Sequence, residues 1–227
     1  MSWVRLYMTV EGETELKFAK ESLVAHLAAF EVEVRPRMVL ANRKLGKRGG
    51  SLGFQRLRDD TQRLMKEDAH PEARFTTMID LYALPTDFPG WEQAIKTVDP
   101  ASRVAALEKA LSATMDSERF LPYLQLHEFE ALLYSDLSQL AQRIPGHDRE
   151  FEALRNEVEN FHPEEINEGL DTAPSKRLID HVPNYERLKV RVGAPAAVAI
   201  GIPALRKECP HFDAWLTALE HLPKAIE

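Results

Sequence analysis

Hydrophobic positions change rhythm several times along the chain, and each change marks an element. Trp3-Val4-Arg5-Leu6-Tyr7-Met8-Thr9-Val10 is apolar, aromatic and β-branched with one charge, the pattern of a strand covered on both faces, and it stops at Glu11-Gly12. From Thr14 the apolar residues Leu16, Ala19, Leu23, Leu27 and Phe30 recur at three- and four-residue steps, which predicts a helix. Glu31 to Arg35 alternates at period two, predicting a strand with one solvated face near a sheet edge, its clean alternation ended by Pro36. Leu52 to Asp68 predicts a second helix and Phe75 to Leu81 a third strand. Asp99-Pro100 supplies an N-cap and a first-turn proline for a helix to about Thr114, and Leu121 to Leu126 predicts a fourth strand. Helices follow at 128–134, 137–144 and 147–161, and from about His162 the chain reads as proline- and glycine-broken helices without a strand.

Strands alternating with helices predict an α/β fold: a mainly parallel sheet of about four strands flanked by helices. Residues 1–135 are expected to form this core and residues 136–227 a helical C-terminal extension packed on it. Hydrophobic residues at 44% and charged residues at 29% of the 227 are enough to build a core and exclude a disordered chain. The apolar run at Met1–Val10 contains Arg5 and is closed by Glu11 before a signal-peptide core develops, and Val192–Leu205 is short and broken by Pro195 and Pro203. A single cysteine, Cys209, excludes an intrachain disulfide and any zinc site needing two thiolates. A cytoplasmic protein without membrane contact is expected.

The 29 Lys and Arg against 36 Asp and Glu give a net charge of −7, so contact with phosphate has to come from a local patch. One segment offers it. Asn42 to Ser51 carries Arg43, Lys44, Lys47 and Arg48, three glycines and no acid, which predicts a loop able to contact a nucleic-acid backbone without reading sequence.

Three expected strands end in acids, at Glu11, Asp80 and His127-Glu128, and open parallel sheets gather functional groups beyond the carboxyl ends of their strands. Glu15 stands one turn above Glu11, and Glu130 and Asp87 lie near enough in sequence to join them. Two carboxylates about 4 Å apart repel by about 4 kcal/mol at an effective dielectric of 20, so such a cluster calls for protons or a bridging cation. Magnesium prefers oxygen ligands and binds through one or two carboxylates plus substrate phosphates. The chemistry this suggests is metal-assisted phosphoryl transfer or phosphodiester hydrolysis.

Val10-Glu11-Gly12-Glu13-Thr14-Glu15 after a hydrophobic strand resembles the first signature of the Toprim domain, and the spacing of Glu11 to Glu15 is similar to that of OLD nucleases. The segments 80–90, 125–133, 172–177 and 209–215 resemble blocks of the Toprim-like bacterial domain of unknown function 4276, a likeness over nearly the whole chain. The resemblance implies a Toprim core in which Glu11 acts as general acid or base while acids after a later strand hold Mg2+ or Mn2+. It also implies a nuclease or nuclease subunit acting on DNA or RNA, associated with a partner ATPase in an anti-phage setting. The usual second motif is Asp-x-Asp, whereas Asp80-Leu81-Tyr82 places a phenol where the second carboxylate belongs. Glu128 and Glu130, an acid-x-acid pair after the fourth strand, are candidates for the missing ligand, so the expected metal ligands are Glu11, Glu15, Asp80, Glu128 and Glu130.

Lys176, in Thr-Ala-Pro-Ser-Lys-Arg, is the candidate for stabilising phosphate charge. His127 reads as a residue closing a strand end, and Cys209-Pro210-His211 as packing around Phe212 and Trp215. The departure at Tyr82 keeps a second reading open, a non-catalytic Toprim scaffold that regulates a partner ATPase.

Overall fold

The computed structural model describes residues 3–39, 53–166 and 172–222. Four parallel pairings build a sheet in the order β2-β1-β3-β4, from β1 (Val4–Val10), β2 (Val32–Met38), β3 (Ala73–Asp80) and β4 (Phe120–Leu121), with β5 (Leu124–Gln125) also paired to β3. The expected fourth strand is therefore two short pieces, broken at Pro122-Tyr123, where proline removes a ladder donor. The Tyr123 N–H goes instead to Thr77 Oγ1 at 3.0 Å, and Thr77 Oγ1 donates to the Tyr123 carbonyl at 2.9 Å. The second strand runs past Pro36 to Met38, because β2 is an edge strand with one side free of partners.

Alternation along the strands separates two cores. Val4, Leu6, Met8 and Val10 of β1 point to one face. Tyr7 points to the other and stacks on Phe75 of β3, ring centroids 5.3 Å apart. The Tyr7 face is covered by α3 (Phe54–Glu67), α4 (Trp91–Ala94) and α5 (Pro100–Met115), whose Leu57, Leu64, Val104, Leu107 and Leu111 are buried against the sheet. Asp99 caps α5 by accepting the Ser102 N–H at 2.8 Å, with Pro100 in the first turn.

The opposite face is covered first by α1 (Glu13–Phe18), which continues through a π-helical turn at Ala19–Leu23 into α2 (Val24–Ala28). The helix stops before Phe30, which is 39% exposed, and Glu31 turns the chain with φ 62° into β2. The segment expected to be helical at 128–134 is a 3-10 run, Phe129–Ser135. After it come α6 (Leu137–Ala141), α7 (Asp148–Val158), α8 (Pro174–His181), α9 (Tyr185–Ile200), α10 (Ile202–Glu208) and α11 (Pro210–Glu220). Their Leu140, Phe151, Leu178, Phe212 and Leu216 share one buried cluster with β1. Trp215 of α11 donates its indole N–H to Thr76 Oγ1 of β3 at 3.0 Å and stacks on Tyr123 at 4.2 Å, so the last helix sits directly on the sheet. Among the described residues no single helix is long and apolar enough to cross a membrane.

Candidate functional site

Because every pairing in the sheet is parallel, the residues that follow β1, β3 and β5 emerge at one end. Glu11 follows β1, Asp80 ends β3, and the Asp80 N–H donates to Glu11 Oε2 at 3.3 Å. Glu15 turns back along the first turn of α1, where its Oε2 accepts the Gly12 N–H at 3.0 Å. Gly12 is close-packed there: a Cβ on it would lie 3.0 Å from the same Glu15 oxygen.

Past β5 the chain changes direction at His127, whose φ is 62°. The ring is fully buried, with Nε2 at 3.0 Å from the Glu164 carbonyl, and its own carbonyl accepts the Tyr82 N–H at 3.2 Å. This turn brings Glu128 and Glu130 back toward the other acids. Glu128 accepts from the Ser175 N–H and Oγ, both at 2.9 Å, while Glu130 accepts from Tyr185 Oη at 3.0 Å and faces Lys189 Nζ at 2.9 Å.

The electrostatics register how near these groups are to one another. Burial pushes Glu11 up to about 7, and the charges of Glu15 and Glu128 push the same way against the Asp80 N–H and Lys189. Burial also raises Glu15, with Glu130 adding to it. Asp80 is held well above the ordinary aspartate range by burial and by the charges of Glu15, Glu11, Glu130 and Glu128. Burial would pull the Lys189 ammonium down, but Glu130, Glu128 and Asp80 carry it above its usual value. Five carboxylates and one ammonium thus share a single electrostatic environment.

The expected residues Glu11, Glu15, Asp80, Glu128 and Glu130 all lie in this cluster. Lys176 is on the exposed side of α8, next to Ser175. Asp87 lies at the start of α3, where its Oδ1 accepts the Phe54 N–H at 3.5 Å. Arg43, Lys44, Lys47 and Arg48 fall outside the described residues. The chain on either side of them is placed: the Val39 N–H bonds to the Val10 carbonyl at 3.2 Å, beside Glu11, and Phe54 lines a small apolar cavity with Glu11, Ile79 and Phe88. Cys209 is buried, its Sγ 3.4 Å from Ser135 Oγ, and Phe212 packs edge-on to Trp215.

Sequence reading missed Lys189 and Tyr185. With Gly193 they recur at four-residue steps, so the three lie along one side of α9. At Gly193 a Cβ would come within 3.3 Å of Tyr185 Oη and 3.7 Å of Thr14 Cγ2, so glycine lets α9 lie close against α1 and the acids. Lys189→Met removes the cation facing a Glu130 side chain that is 5% exposed. It is expected to destabilise the fold by about 1–3 kcal/mol, below the usual loss for a fully buried pair because the Lys189 side chain is 35% exposed. Chemical denaturation of the variant at neutral pH measures this, and an unchanged midpoint would refute it.

The site fits a hard cation in donor type but not yet in arrangement. All five acids offer oxygen, and Asp80 Oδ1 is a buried atom with no hydrogen-bond partner in the structure, an open acceptor. Among the described residues, however, no group of three or more His, Cys, Asp or Glu side chains is arranged to hold an ion. Glu15, Glu128 and Glu130 are each engaged by protein donors.

The family described as domain of unknown function DUF4276 matches residues 10–220, which takes in every element of this site. The chain belongs to the DUF4276 family. The DUF4276 chain is also similar to the C-terminal region of the Xanthomonas campestris pv. campestris OLD protein, with 16% identity and a TM-score of 0.45, over 100% of this chain and 97% of that one. A likeness so distant says nothing of activity. No curated protein matches the DUF4276 chain.

Proposed function

We propose that this DUF4276 chain is a magnesium- or manganese-dependent phosphodiesterase, a nuclease or nuclease subunit, on a Toprim-like core. The observation that carries the reading is the set of acids around Asp80: Glu11, Glu15, Glu128 and Glu130 all raise its pKa, and its Oδ1 is left without a donor. A folded chain keeps such a costly arrangement where a cation is taken up in use.

Glu11, Glu15 and Asp80 show no ion pair or side-chain donor, and of these Glu11 and Asp80, at the ends of β1 and β3, would hold the cation together with substrate phosphate oxygens. The ion supplies Lewis-acid neutralisation of phosphate charge. Glu11, at the end of β1 beside Asp80, can take the proton of the attacking water as the new O–P bond forms, or deliver one to the leaving oxygen as the old bond breaks. Lys189 places a positive charge against the acids at the same end, the part assigned from sequence to Lys176. The basic segment from Arg43 to Arg48 follows in sequence on Val39, whose N–H bonds to the Val10 carbonyl, and its cations are assigned to the substrate backbone. A partner ATPase in phage defence belongs to the same proposal through the Toprim and OLD resemblance of the sequence.

The test is calorimetric titration of the full chain with MgCl2 and MnCl2, joined to cleavage assays on DNA and RNA. Glu128→Gln, which removes a negative charge acting on Asp80, is expected to weaken cation binding several-fold, and equal affinity in the two proteins would remove Glu128 from the set. A second reading, a scaffold that regulates an ATPase without catalysis, is favoured by the protein donors on Glu15, Glu128 and Glu130 and by Tyr82 in the second motif. No cation binding at millimolar concentration would decide for the scaffold.

A further inference from the structure

A second concavity lies between the start of α5, the residue after β5 and the start of α11. Its volume is about 870 Å³, within the size range of small-ligand sites. Leu126, the residue after β5, lines it, and Glu128 of the acid cluster lies two residues on, at most about 7 Å along the backbone. A nucleic-acid strand advances about 3.4 Å per nucleotide when stacked and more when stretched. The backbone span from Leu126 to Glu128 is thus about two nucleotide steps.

The walls are suited to a flat, polar-edged ring. Ile95, Val98, Pro100 and Pro210 give apolar surface. Val98 is 91% exposed and Ile95 51%, so both would gain by being covered. His211 supplies a fixed ring, stacked on Tyr123 at 5.1 Å and held through Nε2 by Glu108 Oε1 at 3.0 Å and the Leu124 carbonyl at 3.2 Å. The lip is braced, since the Arg103 guanidinium donates to the Thr97 carbonyl at 3.1 and 2.7 Å. The acids at the wall are turned to the backbone: Asp99 caps Ser102, Glu165 accepts the His162 N–H at 3.1 Å, and Glu164 accepts the His211 and Phe212 N–H groups at 2.8 and 3.0 Å. Lys96 stands exposed at the lip with its ammonium available to a phosphate. A hydrocarbon ligand would leave the polar atoms of Thr97, His162 and Lys96 at this wall without partners, whereas a base with its phosphate presents donors and acceptors to them.

We propose that this cavity is a nucleobase pocket: it takes one unstacked nucleotide of a strand whose backbone runs past Lys96 toward Glu128. The proposal rests on the nucleic-acid reading of the neighbouring acids. It names the substrate feature recognised there, a single-stranded or locally unpaired segment, since a paired base cannot enter.

The experiment uses the full chain in EDTA, with binding of deoxynucleoside 5′-monophosphates and of deoxyribose 5-phosphate measured by calorimetry. The monophosphates are expected to bind at least ten-fold more tightly than the sugar phosphate. Ala101→Trp, at an exposed position of the wall, is expected to weaken the nucleotides at least ten-fold and leave the sugar phosphate unchanged. Lys96→Glu is expected to weaken both. Equal affinity for nucleotide and sugar phosphate, no nucleotide binding at millimolar concentration, or an Ala101→Trp protein that binds nucleotides like wild type would overturn the pocket. An Ala101→Trp protein that cleaves single strands at the wild-type rate would overturn it too while leaving the carboxylate reading intact. Nucleotide binding sensitive to Ala101→Trp in a protein that cleaves nothing would support the pocket and remove the nuclease reading.

Discussion

Glu11→Gln is expected to lower the rate of phosphodiester cleavage by about 10²–10⁴-fold, the usual loss when a positioned acid or base is removed. Glutamine keeps the shape and can still accept the Asp80 N–H on its amide oxygen, but it neither gives nor takes a proton near neutral pH. At saturating cation the loss should appear in kcat more than in KM, because there the missing proton transfer and not cation occupancy limits the rate. The variant should remain folded, and above neutral pH it should be more stable than wild type, since it lacks one member of a repelling set. Single-turnover cleavage of DNA and RNA in MgCl2 and MnCl2 measures the effect. Activity within a few-fold of wild type would remove Glu11 from the chemistry.

Stability of the cation-free protein is expected to fall as pH rises from about 4.5 to about 7, and a divalent cation should reverse the fall. An acid whose folded pKa lies above its unfolded one holds an extra proton in the folded state between the two values, so raising the pH across that window favours unfolding. For Glu11 the window runs from its ordinary 4.5 to about 7, and the shift converts to at most about 3 kcal/mol at 1.36 kcal/mol per unit. Glu15 and Asp80 shift the same way and add to the slope. Asp68, held below the usual carboxylate range by Arg5 and Tyr7, contributes stability that is lost only as pH falls below its ordinary 3.8, outside this window. For a chain of this size about 3 kcal/mol corresponds to roughly 6–12 °C in melting temperature. Thermal unfolding at pH 5 and pH 8, with and without MgCl2, should therefore show the larger cation-induced rise at pH 8. Glu11→Gln should flatten the profile, and a wild-type melting temperature that climbs from pH 5 to pH 8 without cation would contradict the assignment.

The acids were legible in the sequence because a parallel sheet converts strand ends into neighbours. Val10-Glu11, Ile79-Asp80 and the acids after Leu126 are far apart along the chain, yet the strands bring them to one edge. The fourth strand was legible only as an extended stretch, since nothing local says that Pro122 and Tyr123 exchange ladder bonds for Thr77. Lys189 was not legible in the same way. It reaches the acids from a helix over fifty residues past Glu130, and it does so because Gly193 permits a close helix crossing and Tyr185 fixes Glu130. Lys176, drawn from a motif-like segment, stands on the exposed side of its helix, while its neighbour Ser175 is the residue that bonds Glu128. A residue's distance from an acid along the chain carries no information on which side of a helix it leaves.

The placement of α11 on the sheet has a bearing on how the chain is born. Leu6 and Met8 leave the ribosome roughly 200 residues before Phe212 and Leu216, which share their buried cluster. At a synthesis rate of roughly 5–20 residues per second, the part of that face not covered by α1 and α2 waits about ten seconds or longer for α11, an interval in which premature pairing or chaperone capture competes with closure. The buried cluster on β1 is therefore complete only once α11 has arrived to close it.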